Sequence, residues 1–208
     1  MAKIPRLAAA AVAKTLSVAT VFPTPRWTSL SVATGAEIDM SNLHRLKVAD
    51  KIFFITCNLE SGRRELDEQD FAMIMEVIDE SRRKQGFLFC GYVLMPDHWH
   101  ALIFPRFPLT ISKVMERIKS VSSGRLNRRS SNHRHNWQHQ FWDRFVRDRE
   151  EFCERLEYMH FNPVRRKLVS EPGEWRWSSY NNFSLEPADI AACRIQIDYV
   201  QLSDSYQA

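Results

Sequence analysis

The stretch Phe87-Leu88-Phe89-Cys90-Gly91-Tyr92-Val93-Leu94-Met95-Pro96-Asp97-His98-Trp99-His100-Ala101-Leu102-Ile103-Phe104 reads as two β-strands joined by a tight turn. Phe87 to Leu94 is an apolar, β-rich run, Met95-Pro96-Asp97 carries the turn chemistry, and the second strand spans about 98 to 104, where Pro105 stops it. Strand side chains alternate with period two, so His98 and His100 project from one face and Trp99 from the other, where it can be buried.

The segments on either side place this hairpin at the centre of the fold. Lys51 to Cys57 is β-rich, and Asp67 to Lys84 shows helical spacing through Phe71, Ile74, Met75 and Ile78, closed near Gly86. A second helix is expected from about Thr110 to Leu126, with Ile111, Val114, Met115 and Ile118 facing the core. Residues 124 to 139 are polar and basic and read as a mobile loop. Phe141 to Arg147 reads as a fourth strand, and Arg149 to Asn162 as a helix terminated by Pro163. The order βαββαβα predicts an α+β fold, a ferredoxin-like antiparallel sheet with helices packed on it. No internal repeat is present.

A chain of 208 residues with 44% hydrophobic content can bury one good core and is too short for two large domains. The expected division is an N-terminal extension over 1 to 39, a catalytic domain over 40 to 185 and a C-terminal tail over 186 to 208. Residues 1 to 36 hold Lys3, Arg6, Lys14 and Arg26 but no acid. Lys14 interrupts the alanine-rich stretch and no clean small-residue cleavage site follows, so a disordered extension or an overlong start is favoured over an export signal. Residues 101 to 185 carry 16 basic groups against 9 acidic ones, whereas 37 to 100 carry 8 against 12. The positive excess sits beside and after the histidine strand, as expected if a polyanion is held there. Cys57, Cys90, Cys153 and Cys193 form no CxxC pair, which argues against a zinc ribbon or a disulfide framework and for a reducing cytosol. No apolar run approaches the roughly 20 residues that span a bilayer.

Two histidines on one strand face are half a metal cage, and Tyr158-Met159-His160-Phe161-Asn162-Pro163-Val164 offers a complement. Tyr158 and Asn162 are four residues apart, hence about 40° from each other on one helical face. A core tyrosine and a helix cap are the ordinary alternatives. Two imidazole nitrogens from His98 and His100 and the amide oxygen of Asn162 suit Mg²⁺ or Mn²⁺ acting as a Lewis acid, with positions left for phosphate oxygens and water. Tyr158 would then attack phosphorus; a free phenol titrates near about 10, so it needs activation.

These segments, with Trp137-Gln138-His139-Gln140-Phe141-Trp142-Asp143-Arg144 and Glu174-Trp175-Arg176-Trp177-Ser178-Ser179-Tyr180, make the chain similar to the REP-associated tyrosine transposases, a branch of the single-tyrosine HUH transposases. The resemblance runs from about Lys51 to Phe183. It implies the HUH endonuclease fold and transient covalent capture of single-stranded DNA as a 5′-phosphotyrosine, freeing a 3′-hydroxyl, with Mg²⁺ or Mn²⁺. The partner would be single-stranded or hairpin DNA of REP type, engaged in the cytoplasm at the nucleoid by a monomer or homodimer. By position, His98 and His100 would be metal ligands, Asn162 the third ligand and Tyr158 the nucleophile. A phosphotyrosine conserves the energy of the broken phosphodiester, so strands can be rejoined without ATP, and no Walker-type phosphate loop is present.

Arg125, Arg128, Arg129, Arg134 and Arg144, with Trp137 and Trp142 nearby, form a candidate surface for DNA phosphates and unstacked bases. Trp142 and Trp177 are themselves read as packing residues. Two other classes stay open from residues alone: a non-catalytic nucleic-acid-binding module of the same fold, and a metal hydrolase that uses water.

Overall fold

A computed structural model of the chain describes residues 51–130, 136–184, 196–200 and 202, all within the unit Ser41–Ala208. The expected N-terminal extension, Arg134 and most of the tail lie outside the described residues. The elements run β1 (Phe53–Asn58), α1 (Glu68–Gln85), β2 (Leu88–Leu94), β3 (His98–Phe104), α2 (Ile111–Ser130), β4 (Trp142–Phe145), α3 (Arg149–His160), α4 (Asn162–Arg165), a 3₁₀ turn (Pro172–Glu174) and α5 (Tyr180–Ser184). The strands form an antiparallel sheet in the order β2-β3-β1-β4. This is the ferredoxin-like order expected from the sequence, with β3 inserted between β1 and β2.

Both faces of the sheet are covered. On one, Phe53, Ile55, Cys57, Trp99, Ala101 and Ile103 pack against Phe71, Ile74 and Ile78 of α1 and Val114, Met115 and Ile118 of α2. On the other, Phe54, Cys90, Val93 and Leu102 meet Phe152 and Met159 of α3. Double coverage explains why β2 reads as a continuous apolar run and not as an alternation. Trp99 is fully buried on the α1 and α2 side, and His100, beside it in sequence, is on the α3 side.

The local chemistry accounts for the helix boundaries. Asp67 caps α1 by accepting from the Gln69 and Asp70 N–H groups, Asp70 reciprocates to the Asp67 N–H, and Gly86 closes the helix at φ 77°. The second helix is longer than its apolar pattern: residues 127 to 130, expected as loop, are helical. Leu126 is buried, Arg125 pairs with Glu80 at 2.7 Å, and Arg129 pairs with Asp67 at 2.8 Å and with the buried Asp70. These contacts with α1, distant in sequence, hold the extra turns. The third helix is shorter than expected. Its hydrogen bonding breaks at Phe161 because Pro163 has no N–H, and the proline instead occupies the first turn of α4, where none is needed.

The approach of α3 to the sheet depends on a bulge. Register shifts between Phe89 and Gly91, so that Cys90 and Gly91 both turn toward α3. A Cβ on Gly91 would stand 2.7 Å from Leu156 Cδ2 and 2.9 Å from Met159 Cε. Gly91→Val is therefore expected to push α3 off the sheet, leave the α1 and α2 side packed, and lower stability by about 1–3 kcal/mol. Chemical denaturation measures the loss, and an unchanged midpoint would show that α3 does not need this close approach.

The edge of β2 is covered by later chain. Leu94 N–H donates to Trp177 O and Ser179 N–H to Tyr92 O, while Asp198 exchanges bonds with Phe89. Ile197 enters the core, and Arg82 pairs with Asp198. The described part of the tail thus packs at the Leu88 end of β2, away from the histidines. Cys57, Cys90 and Cys153 are free thiols. Among the described residues no helix is long and apolar enough to cross a membrane.

Candidate metal and nucleophile site

His98 and His100 lie on the α3 face of β3 with ring centroids 4.7 Å apart. The strand register brings Thr56 of β1 opposite His100, and Thr56 Oγ1 is 2.9 Å from His100 Nδ1. On the far side of the ring, Nε2 is 3.0 Å from Asn162 Nδ2. The amide N–H donates to Nε2, so the proton of the imidazole is on Nδ1 and bonds to Thr56. His100 is 3% exposed, and burial, aided by the neighbouring His98, pushes its pKa down to about 3. The ring is therefore neutral at physiological pH with its Nε2 lone pair directed to the site. That is the form a metal ligand requires.

His98 is oriented by a carboxylate. Asp97 Oδ1 is 2.6 Å from His98 Nδ1, and Asp97 Oδ2 pairs with the Arg166 guanidinium. Burial opposes charge on Asp97, but the bonds from His98 and Arg166 outweigh it and hold the carboxyl below its usual range. With Nδ1 engaged, Nε2 is the nitrogen of His98 left for a ligand. Carboxylate–histidine pairs of this kind fix the tautomer and raise ligand basicity. Asp97→Ala is expected to weaken Mn²⁺ affinity roughly 10- to 100-fold. Calorimetric titration of the metal alone would reveal it, and an unaltered affinity would remove Asp97 from this role.

Tyr158, on the last turns of α3, is 43% exposed, with its ring centroid 5.5 Å from that of His100. The break after His160 separates it from Asn162, which is buried at the start of α4. The two do not share a continuous helix as the spacing predicted, yet both converge on His100. Phe54 is the floor between them, stacked on His100 at 5.3 Å and edge-on to Tyr158 at 6.1 Å. Arg165 places its guanidinium 5.3 Å from the Tyr158 ring centre. Among the described residues no hydrogen bond reaches the Tyr158 hydroxyl, and no three His, Cys, Asp or Glu side chains form a metal-sized cluster. Asn162, whose side chain meets His100 Nε2, is placed to supply an amide donor beside the two histidines. The residues fit a cation that keeps open positions.

The helix end that carries Tyr158 and Asn162 is tied to the sheet edge by a buried polar link. His160 Nε2 is 2.8 Å from Ser179 Oγ, which also accepts from the Tyr92 N–H at 2.9 Å. Burial pushes the pKa of His160 down to about 3, so it acts here as a neutral partner.

The arginines proposed for DNA are not gathered at this site. Arg125 and Arg129 lie on α2, on the opposite side of the sheet, and are paired with acids of α1. Arg128 donates to Gly124 O within α2. Only Arg144, on β4, shares the face of the histidines, 3.4 Å from the buried Glu151. Arg134 is outside the described residues. Trp177 is buried as expected, whereas Trp142, read as packing, is 49% exposed because β4 is an edge strand. Thr56, Asp97, Phe54, Arg165 and Arg166 were not singled out from the sequence. Asp97, next to His98 in the turn, was the one that residue type alone could have flagged.

The sequence model of the family described as "Transposase IS200 like" matches residues 55–146, which include both histidines and stop before α3. A REP-associated tyrosine transposase of Escherichia coli K12 is 23% identical over 161 residues, covering 77% of this chain and 91% of the relative. A chain from Haemophilus influenzae assigned to the same group is 21% identical over 154 residues, covering 68% of this chain and 86% of that relative. A solved structure of a REP-associated tyrosine transposase bound to a REP hairpin has a TM-score of 0.61 at 22% identity, covering 81% of this chain and 98% of that one. That likeness establishes the shared fold.

Proposed function

We propose that the chain, which is similar to the REP-associated tyrosine transposases, is a metal-dependent endonuclease and strand transferase acting on single-stranded DNA beside a REP-like hairpin. The observation that carries the reading is the convergence of His98, His100, Tyr158 and Asn162, drawn from β3, α3 and α4, on one partly open spot. It is supported by the solved relative, which holds a REP hairpin on the same fold.

His98 and His100, with Asn162 as third ligand, would hold Mg²⁺ or Mn²⁺, which when bound supplies Lewis-acid polarisation of the scissile phosphate. A half-turn of the Asn162 amide exchanges Nδ2 for Oδ1 and so offers an oxygen in place of the present donor. Tyr158 Oη attacks phosphorus; the Oη–P bond forms, the P–O3′ bond breaks, the phenolic proton leaves to solvent, and the departing O3′ takes up a proton. Arg165 beside the phenol adds positive charge for the phosphate. The product is a 5′-phosphotyrosine that a second 3′-hydroxyl can attack in the reverse sense. Tyr158 is exposed, as a side chain that must reach a polymer should be.

The test is incubation with a labelled DNA hairpin carrying a single-stranded flank, with Mn²⁺ or with chelator. A denaturant-resistant protein–DNA adduct that needs the metal is expected. Salt-dependent binding with no cleavage under any divalent cation would instead identify a binding module.

A further inference from the structure

Among the described residues one indole, that of Trp142, is left outside the core, and its place in the sheet is specific. Thr56 pairs with His100 on one side and with Trp142 on the other, so Trp142, Thr56 and His100 form a single row across three adjacent strands. Paired residues point to the same face, which here is the face of α3. Neighbouring strands are about 4.8 Å apart, so Trp142 stands roughly 10 Å across the sheet from His100. The residue between them is a threonine whose hydroxyl is turned to the imidazole, and a small side chain there leaves room above β1. Phe54, one row away and 3% exposed, touches both sides of that space, with ring centroids 5.9 Å from Trp142 and 6.1 Å from Tyr158.

Exposure separates this tryptophan from the others nearby. Trp99, Trp137 and Trp177 are 0–3% exposed, while Trp142 is 49% exposed. An indole held in water beside a site forgoes the burial that ordinarily stabilises it. Arginines stand beside it: Arg144, Arg147 and Arg155 converge on the buried carboxylate of Glu151, with Asp148 and Glu154 also near Arg147, and the Arg155 guanidinium lies 5.5 Å from the Phe54 ring centre. Aromatic area next to arginine is the combination that holds unpaired nucleotides, bases on the ring and phosphates on the cations.

We infer that Trp142 is a stacking site for one unpaired nucleobase, the base on a nucleotide flanking the phosphate presented to Tyr158 and His100. The inference rests on the proposed DNA reading and adds where the strand leaves the nucleophile, across β1 toward the β4 edge. Stacking is tolerant of base identity, so this site positions the strand and does not read its sequence.

The experiment uses the full chain and a fluorescent DNA hairpin with a single-stranded thymidine flank, prepared intact and with an abasic site at each flank position in turn. Binding is measured for the wild type, Trp142→Ala and Trp142→Phe. On intact DNA, Trp142→Ala should weaken binding roughly 5- to 150-fold, the range of one base–aromatic stack, with Trp142→Phe retaining most of the affinity. At one flank position the abasic site should weaken the wild type by a similar factor and leave wild type and Trp142→Ala equal. Equal affinity of wild type and Trp142→Ala for intact DNA overturns the inference, and so does a loss that is the same at every abasic position. The two readings fail separately: a wild type that binds but forms no adduct sinks the nuclease, whereas adduct formation with no effect of Trp142→Ala sinks only the stacking site. A chain that does not bind the hairpin at all overturns both.

Discussion

Tyr158→Phe is expected to abolish the covalent adduct and strand cleavage while leaving the fold and DNA binding intact. The substitution deletes one oxygen from a side chain that is 43% exposed and whose hydroxyl has no hydrogen-bond partner among the described residues. Stability should therefore change by less than about 0.5 kcal/mol, the range of surface substitutions. The ring contacts with Phe54 and His100 and the Arg165 guanidinium over its face are all available to phenylalanine. A gel assay for the adduct, run beside a binding titration, separates chemistry from recognition. Cleavage that persists in the phenylalanine variant would mean that water or another side chain attacks phosphorus.

The second large effect is expected at the histidines, and the two should differ. His100→Ala removes a ring that bonds Thr56 and Asn162 and stacks on Phe54. It should eliminate measurable Mn²⁺ binding and also destabilise the protein by about 1–3 kcal/mol, because the buried Asn162 and the half-buried Thr56 lose their bond. His98 is at the rim, its side chain 12% exposed and paired with an acid that keeps Arg166 when the ring is gone. His98→Ala should weaken the metal by more than the roughly 10- to 100-fold expected of an outer partner such as Asp97, with little change in melting. Metal titration and thermal melting of both variants decide it. Unaltered Mn²⁺ affinity in either one would refute the two-histidine site.

The legible parts of this molecule are those whose causes are local. Alternation in β3 was enough to put His98 and His100 on one face and Trp99 on the other. The apolar spacing of α1 and its Asp67 and Gly86 ends fixed that helix to within a residue. What stayed hidden depends on partners far along the chain. The last turns of α2 look like a polar loop until Glu80, Asp67 and Asp70 of α1 are placed against them, and the same ion pairs give Arg125 and Arg129 a structural task on the opposite face from the histidines. Thr56 is one more strand residue until the β1–β3 register sets it against His100. Pro163 is a clear helix breaker, but that a new turn begins at once, burying Asn162 while Tyr158 stays exposed, follows from tertiary packing. Trp142 was misread because tryptophan is so often buried, and only the strand order shows that β4 is an edge.

The proposed bond between Tyr158 and DNA phosphorus can be located on the protein itself. A hairpin oligonucleotide labelled at the scissile phosphate would be reacted with the wild-type chain and Mn²⁺, the complex digested with nuclease and trypsin, and the peptides sequenced by mass spectrometry. A nucleotide phosphate is expected on the peptide Leu156–Arg165, attached at its single tyrosine. Label on a different peptide, or cleaved DNA with no labelled peptide, would contradict it.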